Sequence, residues 1–232
     1  MILLFIALFT VLSFVGFMYI DKKVTRNIVG GLSLALLVVS VAGLIYHLST
    51  HWGMKEVTKT TEQQVYTAGD TKAAFGLMID QEIGTQSGEY VFVYRDKPSD
   101  AKPIAHFTPD EKHITDAVKK SATYKMTSDN QAKVVTKTTT YAYSSDLMKM
   151  MFGIGDEEGT LVSEKSTVYV PQKTWLLLNT EQAKELESKA ADLKKAAIAN
   201  PEQTAKMQQL AKTDPEKYAQ LQVEQIKKLL NI

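Results

Sequence analysis

Cysteine is absent from the 232-residue chain, so no disulfide framework, thiolate metal site or thiol nucleophile exists in it. An excess of either charge is also missing. The 27 Lys and Arg residues face 26 Asp and Glu, which leaves no basic field to attract phosphates and excludes a strongly basic nucleic-acid binder. A third scarcity is local: residues 1–50 contain only four charged side chains, Asp21, Lys22, Lys23 and Arg26. The mean hydropathy of −0.15 therefore averages an apolar segment with a polar one, and a wholly soluble enzyme is excluded.

Within that charge-poor segment, Met1 to Ile20 is apolar apart from small hydroxyl residues and Tyr19. At about 1.5 Å per residue it reaches about 30 Å, the thickness of a bilayer's hydrocarbon core. Ile28 to Tyr46 is a second uncharged run of sufficient length. No Lys or Arg precedes the first run and no small-x-small cleavage motif follows it, so it reads as a retained span rather than a cleaved signal. The short connection from Asp21 to Asn27 forces an antiparallel hairpin. Its Lys22, Lys23 and Arg26 are the topology determinants: they place the connection in the cytoplasm, and both termini outside it. Thr10, Ser13 and Gly16 on the first helix, with Gly31 and Ala35 on the second, offer small-residue stripes for close packing. Neither span holds an ionisable residue at mid-membrane depth, which argues against an ion pathway through the pair.

From about residue 51 to 178 the chain is rich in Thr, Val and Tyr, with turn-forming clusters between short runs. Strands are expected at 56–66, 75–83, 90–94, 103–107, 122–127, 132–143, 160–170 and 174–178. Ser128, Asp129 and Asn130 suggest a hairpin between 122–127 and 132–143. Thr108, Pro109 and Glu111 suggest a helix start, with the helix running to Lys120. The spacing suits an antiparallel sandwich or a single sheet with a helix. Val-Thr-Lys-Thr-Thr occurs at 57–61 and again at 135–139, as chance repetition in a Thr- and Lys-rich background would allow.

After Leu178 the apolar period becomes helical. Asn179 and Gln182 form a capping box, and Ala183, Leu186, Ala190, Leu193 and Ala197 share a face. Asn200-Pro201 and Asp214-Pro215 each place a cap before a first-turn proline. The expected fold class is thus α+β: a transmembrane hairpin (1–50), a mainly antiparallel β domain (51–178) and short amphipathic C-terminal helices (179–232). These helices read as covers for the sheet or for one another, with partner docking as the alternative.

Candidate chemistry is sparse, and no residue is assigned as catalytic, cofactor-binding or metal-ligating. His47 and His51 stand four apart without the glutamate of a zincin helix, and read as interfacial histidines with their polar tips in water. His106 and His113 flank Asp110 and Glu111, a conceivable acid-base or metal site whose spacing also suits a solvated loop. Asp156, Glu157 and Glu158 lack the alternating ligands of a calcium loop and read as a polar turn. The segment 147–155 is the most unusual after the spans. Met148, Met151 and Phe152 are its candidate contacts to lipid or a partner; the competing reading is a short helix from Ser145 to Gly153 that faces the core, with Phe152 inside.

The twin spans, the run Leu-Met-Lys-Met-Met-Phe-Gly-Ile-Gly at 147–155, the strand start Gly159-Thr160-Leu161-Val162, and Val170-Pro171-Gln172-Lys173-Thr174-Trp175 resemble a family of uncharacterised two-span membrane proteins of lactic acid bacteria and related Firmicutes, classed as a domain of unknown function. The resemblance implies a multi-pass protein of a Gram-positive cell membrane and carries no active residues. It also motivates an expectation that a partner is a multidrug efflux transporter. The expected function is therefore a membrane-anchored extracytoplasmic accessory or sensing protein without catalysis and without a cofactor, whose partners are the lipid bilayer and a membrane protein. The alternatives are a cell-envelope enzyme with a carboxylate/His site assembled by the fold, and a transporter subunit.

Overall fold

The computed structural model describes residues 1–110, 112–199 and 201–232, and for 190–199 and 201–204 the backbone alone. In chain order the elements are α1 (Ile2–Tyr19), α2 (Lys23–Thr50), β1 (Met54–Gln64), β2 (Gly76–Glu82), β3 (Tyr90–Tyr94), β4 (Ile104–His106), α3 (Ile114–Ala117), β5 (Lys120–Thr127), β6 (Lys133–Tyr143), α4 (Asp146–Phe152), β7 (Leu161–Pro171), β8 (Trp175–Asn179), α5 (Thr180–Ala199), α6 (Pro201–Thr213) and α7 (Pro215–Leu230). The fold is α+β, with two apolar N-terminal helices, two mixed sheets and C-terminal helices.

The chain forms two compact units. One comprises residues 1–58 and 139–162, the other 59–138 and 163–232, so β1, β6 and β7 each contribute residues to both. In the first unit, α1 and α2 are long and apolar enough to cross a membrane. Their contact is set by glycine: a Cβ on Gly16 would lie 2.8 Å from the Gly30 backbone, so only hydrogen fits. The buried small residues are Ser13 and Gly16 on α1 and Gly30 and Ser33 on α2. This corrects the expected stripe: Thr10 and Ala35 are exposed, and nothing lies within 4 Å of a Cβ on Gly31. Neighbouring glycines point about 100° apart on a helix, so the rotation adopted by α2 selects Gly30 over Gly31.

In the second unit the strands alternate as a two-sided sheet demands. The order β4-β3-β2-β8 forms one sheet, and β1-β6-β7-β5 is the order in the other. Met78, Phe92, Val134, Val168 and Val170 belong to a core joined by half-buried Trp175 and Leu177. The intervening Leu176 and Leu178 turn instead to Val223, Ile226 and Leu230 of α7. β8 is thus apolar on both faces, which explains its uninterrupted Trp-Leu-Leu-Leu.

Two expectations change here. β2 pairs with β8 and β5 with β7 in parallel, while β2–β3 and β3–β4 are antiparallel. The expected hairpin of β5 with β6 does not form, because β7 lies between them in the sheet. Eight parallel register pairs from Lys120–Glu164 to Thr127–Pro171 replace it. The Ser128–Asn130 cluster still turns the chain but does not select the partner strand. Likewise, the helix expected from Thr108 is reduced to the four residues of α3, and Asp110 organises the turn before it by accepting from the Lys112 amide at 2.9 Å.

The C-terminal caps follow their sequence signals. Asn179 and Gln182 exchange side-chain-to-amide bonds of 2.8 and 3.0 Å, and Asp214 caps α7 through the Lys217 amide at 3.0 Å, ahead of Pro215. The cap expected at Asn200 lies outside the described residues.

Candidate functional site

The first unit contains a polar cluster at the C-terminal end of α2. His51 ends the helix in the left-handed region, with φ 55°, and its amide donates to the His47 carbonyl. Gly53 follows with φ 87°, a conformation that favours glycine, and a Cβ there would lie 2.8 Å from Met148 Sδ and displace that flexible side chain. This sharp exit places the Trp52 carbonyl 2.5 Å from His47 Nδ1. A carbonyl only accepts, so Nδ1 carries the hydrogen. On the other side of the ring, Nε2 faces Glu157 Oε2 at 3.2 Å. Neither of those two atoms has a formed hydrogen bond.

The ring of His47 is fully buried. It stacks on Phe152 with centroids 4.4 Å apart and, more distantly, on Tyr143 at 6.2 Å. His47 is therefore no interfacial histidine with a wet tip; the turn at His51–Gly53 folds the following chain over it. His51 stacks on Tyr141 at 4.1 Å. The two imidazoles thus serve separate contacts and do not converge as a metal pair.

Around them lies a small core of Ile2, Tyr143 and Phe152, packed by Ile6, Leu44, Met54, Met148 and Met151. Ser145 caps α4 by accepting from the Met148 amide at 3.3 Å. Phe152 is buried, and Met148 and Met151 are half-buried. The Met1 ammonium donates to the Met150 and Met151 carbonyls at 2.7 and 3.1 Å. Lys22, Lys23 and Arg26 lie at the opposite end of the helical pair, at and after the start of α2.

The second unit holds a cavity of about 510 Å³, lined by Glu89, Phe107, Asp110, His113, Lys120 and Glu164 among others. Its walls combine carboxylates, one Lys and aromatic surface, a composition suited to holding a small polar molecule. Asp110 accepts from His113 at 2.8 Å, and this hydrogen bond is the main reason that its carboxyl lies below the usual carboxylate range. His106 does not join them. It stacks on Tyr94, with centroids 3.8 Å apart and ring planes nearly parallel, and Asp96 lies 3.8 Å from its Nε2. Burial lowers its pKa from 6.5, against the opposing pull of Asp96. The structure thus separates the His106/His113 pair that the sequence groups together. Glu111 lies outside the described residues. Among these, no group of three or more metal-ligating side chains converges.

Sequence reasoning missed Arg95. It is buried, yet among the described residues it pairs with no carboxylate: its guanidinium donates to the carbonyls of Thr67, Gly69 and Asp100. A charged residue at the end of the apolar run Tyr-Val-Phe-Val-Tyr was the available signal, since a buried Arg must find acceptors.

The chain matches the family model "Domain of unknown function (DUF4811)" over residues 22–186 and belongs to that family. No curated protein and no solved structure matches it.

Proposed function

We propose that this family member is a membrane-anchored extracytoplasmic protein that assists or senses at the cell surface and performs no catalysis. The observation that carries this reading is the construction of the first unit. The outer turns of α1 and α2 share one core with residues 139–162, through Ile2, Leu44 and the buried His47–Glu157 contact. A simple tether needs no such core, because anchoring requires only apolar length. An anchor built into a folded core suits a protein that works at the membrane surface. The cavity lined by Asp110, His113 and Glu164 supports the sensing role, since a ligand-sized cleft is where a small molecule would be read. Its partners in this reading are the bilayer and a neighbouring membrane protein.

Orientation follows from Lys22, Lys23 and Arg26, which hold the α1–α2 connection in the cytoplasm. A periplasm- or exterior-active reporter fused after Ile232 is expected to be active, and replacing the three basic residues with Gln should mix the orientations. Activity of a cytoplasm-specific reporter at that fusion would overturn the assignment. Absence of catalysis predicts that Ala at His106, which does not line that cavity, leaves the cellular phenotype intact at normal protein abundance, whereas Ala at Asp110 or His113 should weaken only the response to a molecule held there. Loss of phenotype from His106→Ala with the fold preserved would favour an enzyme.

A further inference from the structure

We infer that α4 is a third membrane-contacting element, an interfacial helix that lies on the outer lipid surface through Leu147, Met150 and the following Ile154. The inference rests on the reading of α1 and α2 as spans. Three observations from the first unit carry it. The first is amphipathic division: Met148, Met151 and Phe152 turn to the small core, whereas Leu147, Met150 and Ile154 are 59%, 51% and 52% exposed. Leu147 and Met150 stand three apart on one helical face, and Lys149 is drawn to another side by its 2.5 Å pair with Glu158.

The second is depth. Phe152 packs in one cluster with Ile2 and Ile6, the first turns of α1, so α4 sits level with the place where the span begins. Leu3, Leu4 and Phe5 in the first turns of α1 are exposed as well, so both helices leave apolar side chains uncovered at that level. The third is the aromatic pair Tyr46 and Trp52, rings 6.1 Å apart and both exposed at the same end of the hairpin, where such rings mark the headgroup region. An apolar patch in that zone is satisfied by acyl chains at little cost, as for other interfacial helices. The lipid-facing residues are thus Leu147, Met150 and Ile154 rather than the Met148, Met151 and Phe152 suggested by composition.

The absence of cysteine makes the test clean. Full-length protein in phosphatidylcholine/phosphatidylglycerol nanodiscs would carry an environment-sensitive fluorophore at Leu147→Cys, Met150→Cys or Ile154→Cys. Leu34→Cys in α2 and Met126→Cys in β5 serve as references. The expected result is blue-shifted emission, quenched by spin-labelled lipid, at the three α4 positions and at 34, with aqueous emission at 126. If the α4 labels behave like 126 while 34 is quenched, the interfacial helix is refuted and the spans stand. Aqueous emission at 34 would overturn the membrane reading itself and the inference with it. Blue-shifted α4 labels that lipid quenchers do not reach would mean that protein, a second copy or a partner, covers the face, and would refute the lipid assignment.

Discussion

The two units solve the problem of burial differently. The core around Phe92, Met78 and Val168 is built of apolar side chains at strand period two, and it draws on the ordinary gain from removing such surface from water. The first unit has a much smaller apolar cluster and depends on particular contacts: Gly16 against Gly30, His47 against Glu157, and the Gly53 turn against Met148. Lipid is as apolar as Leu, so burying apolar surface gives little drive for helices to associate within it, and shape and polar pairing take over. Truncation should therefore cost most in the core of the second unit, whereas in the first the cost should depend on the identity of a partner atom.

The largest effect should come from Phe92→Ala, at about 3–5 kcal/mol, read by chemical denaturation of the full-length protein in micelles; a loss below about 1 kcal/mol would break the contrast, since it would mean that the site collapses freely. Next is His47→Leu, which removes the hydrogen bond of Nδ1 to the Trp52 carbonyl and leaves Glu157 Oε2 facing an apolar side chain. About 1–3 kcal/mol is expected, the usual cost of leaving buried polar groups unmatched. The double variant His47→Leu/Glu157→Leu should recover much of that loss, because two apolar groups leave no unmatched charge; equal losses in single and double variants would show that the ring's packing, not the pair, matters.

Gly16→Val should destabilise the hairpin by roughly 1–3 kcal/mol through overpacking on Gly30, whereas Gly31→Val, which meets open space, should leave the melting temperature nearly unchanged. If the two variants behave alike, the α1–α2 contact is not the one described.

The smallest effect is one of pH. Burial depresses the pKa of His106 below 6.5, so between 6.5 and that lower value the unfolded chain binds more protons. The contribution to stability is present above 6.5 and is lost as pH falls through the folded-state pKa. His106→Phe keeps an aromatic ring on Tyr94 and removes the titration. Its melting temperature should fall less steeply than that of the parent chain as pH drops below 6.5; parallel profiles would remove His106 as the cause.

The eight strands, the apolar helices and the caps at Asn179, Ser145 and Asp214 were legible because each rests on local chemistry: side-chain period, run length, or an oxygen three residues before a free amide. The Asp110–His113 contact was legible for the same reason, as a pair three residues apart. The grouping of His106 with it failed because a strand end and a turn point their side chains independently of nearness in sequence. Arg95 was hidden because its acceptors are backbone carbonyls, which every residue carries.

What the sequence by itself determined is the division into an apolar helical pair and a polar β-rich part, the basic connection between the two apolar helices, and the position of each element. What only the tertiary structure decided is partnership: β7 between β5 and β6, Gly30 rather than Gly31 against Gly16, and Glu157 brought to His47 across 110 residues. Periodicity and capping are set by neighbours a few residues away and can be read from them. The choice among strands, helix faces or buried charges is made by which arrangement closes the core with its polar groups met, a condition on the whole chain at once.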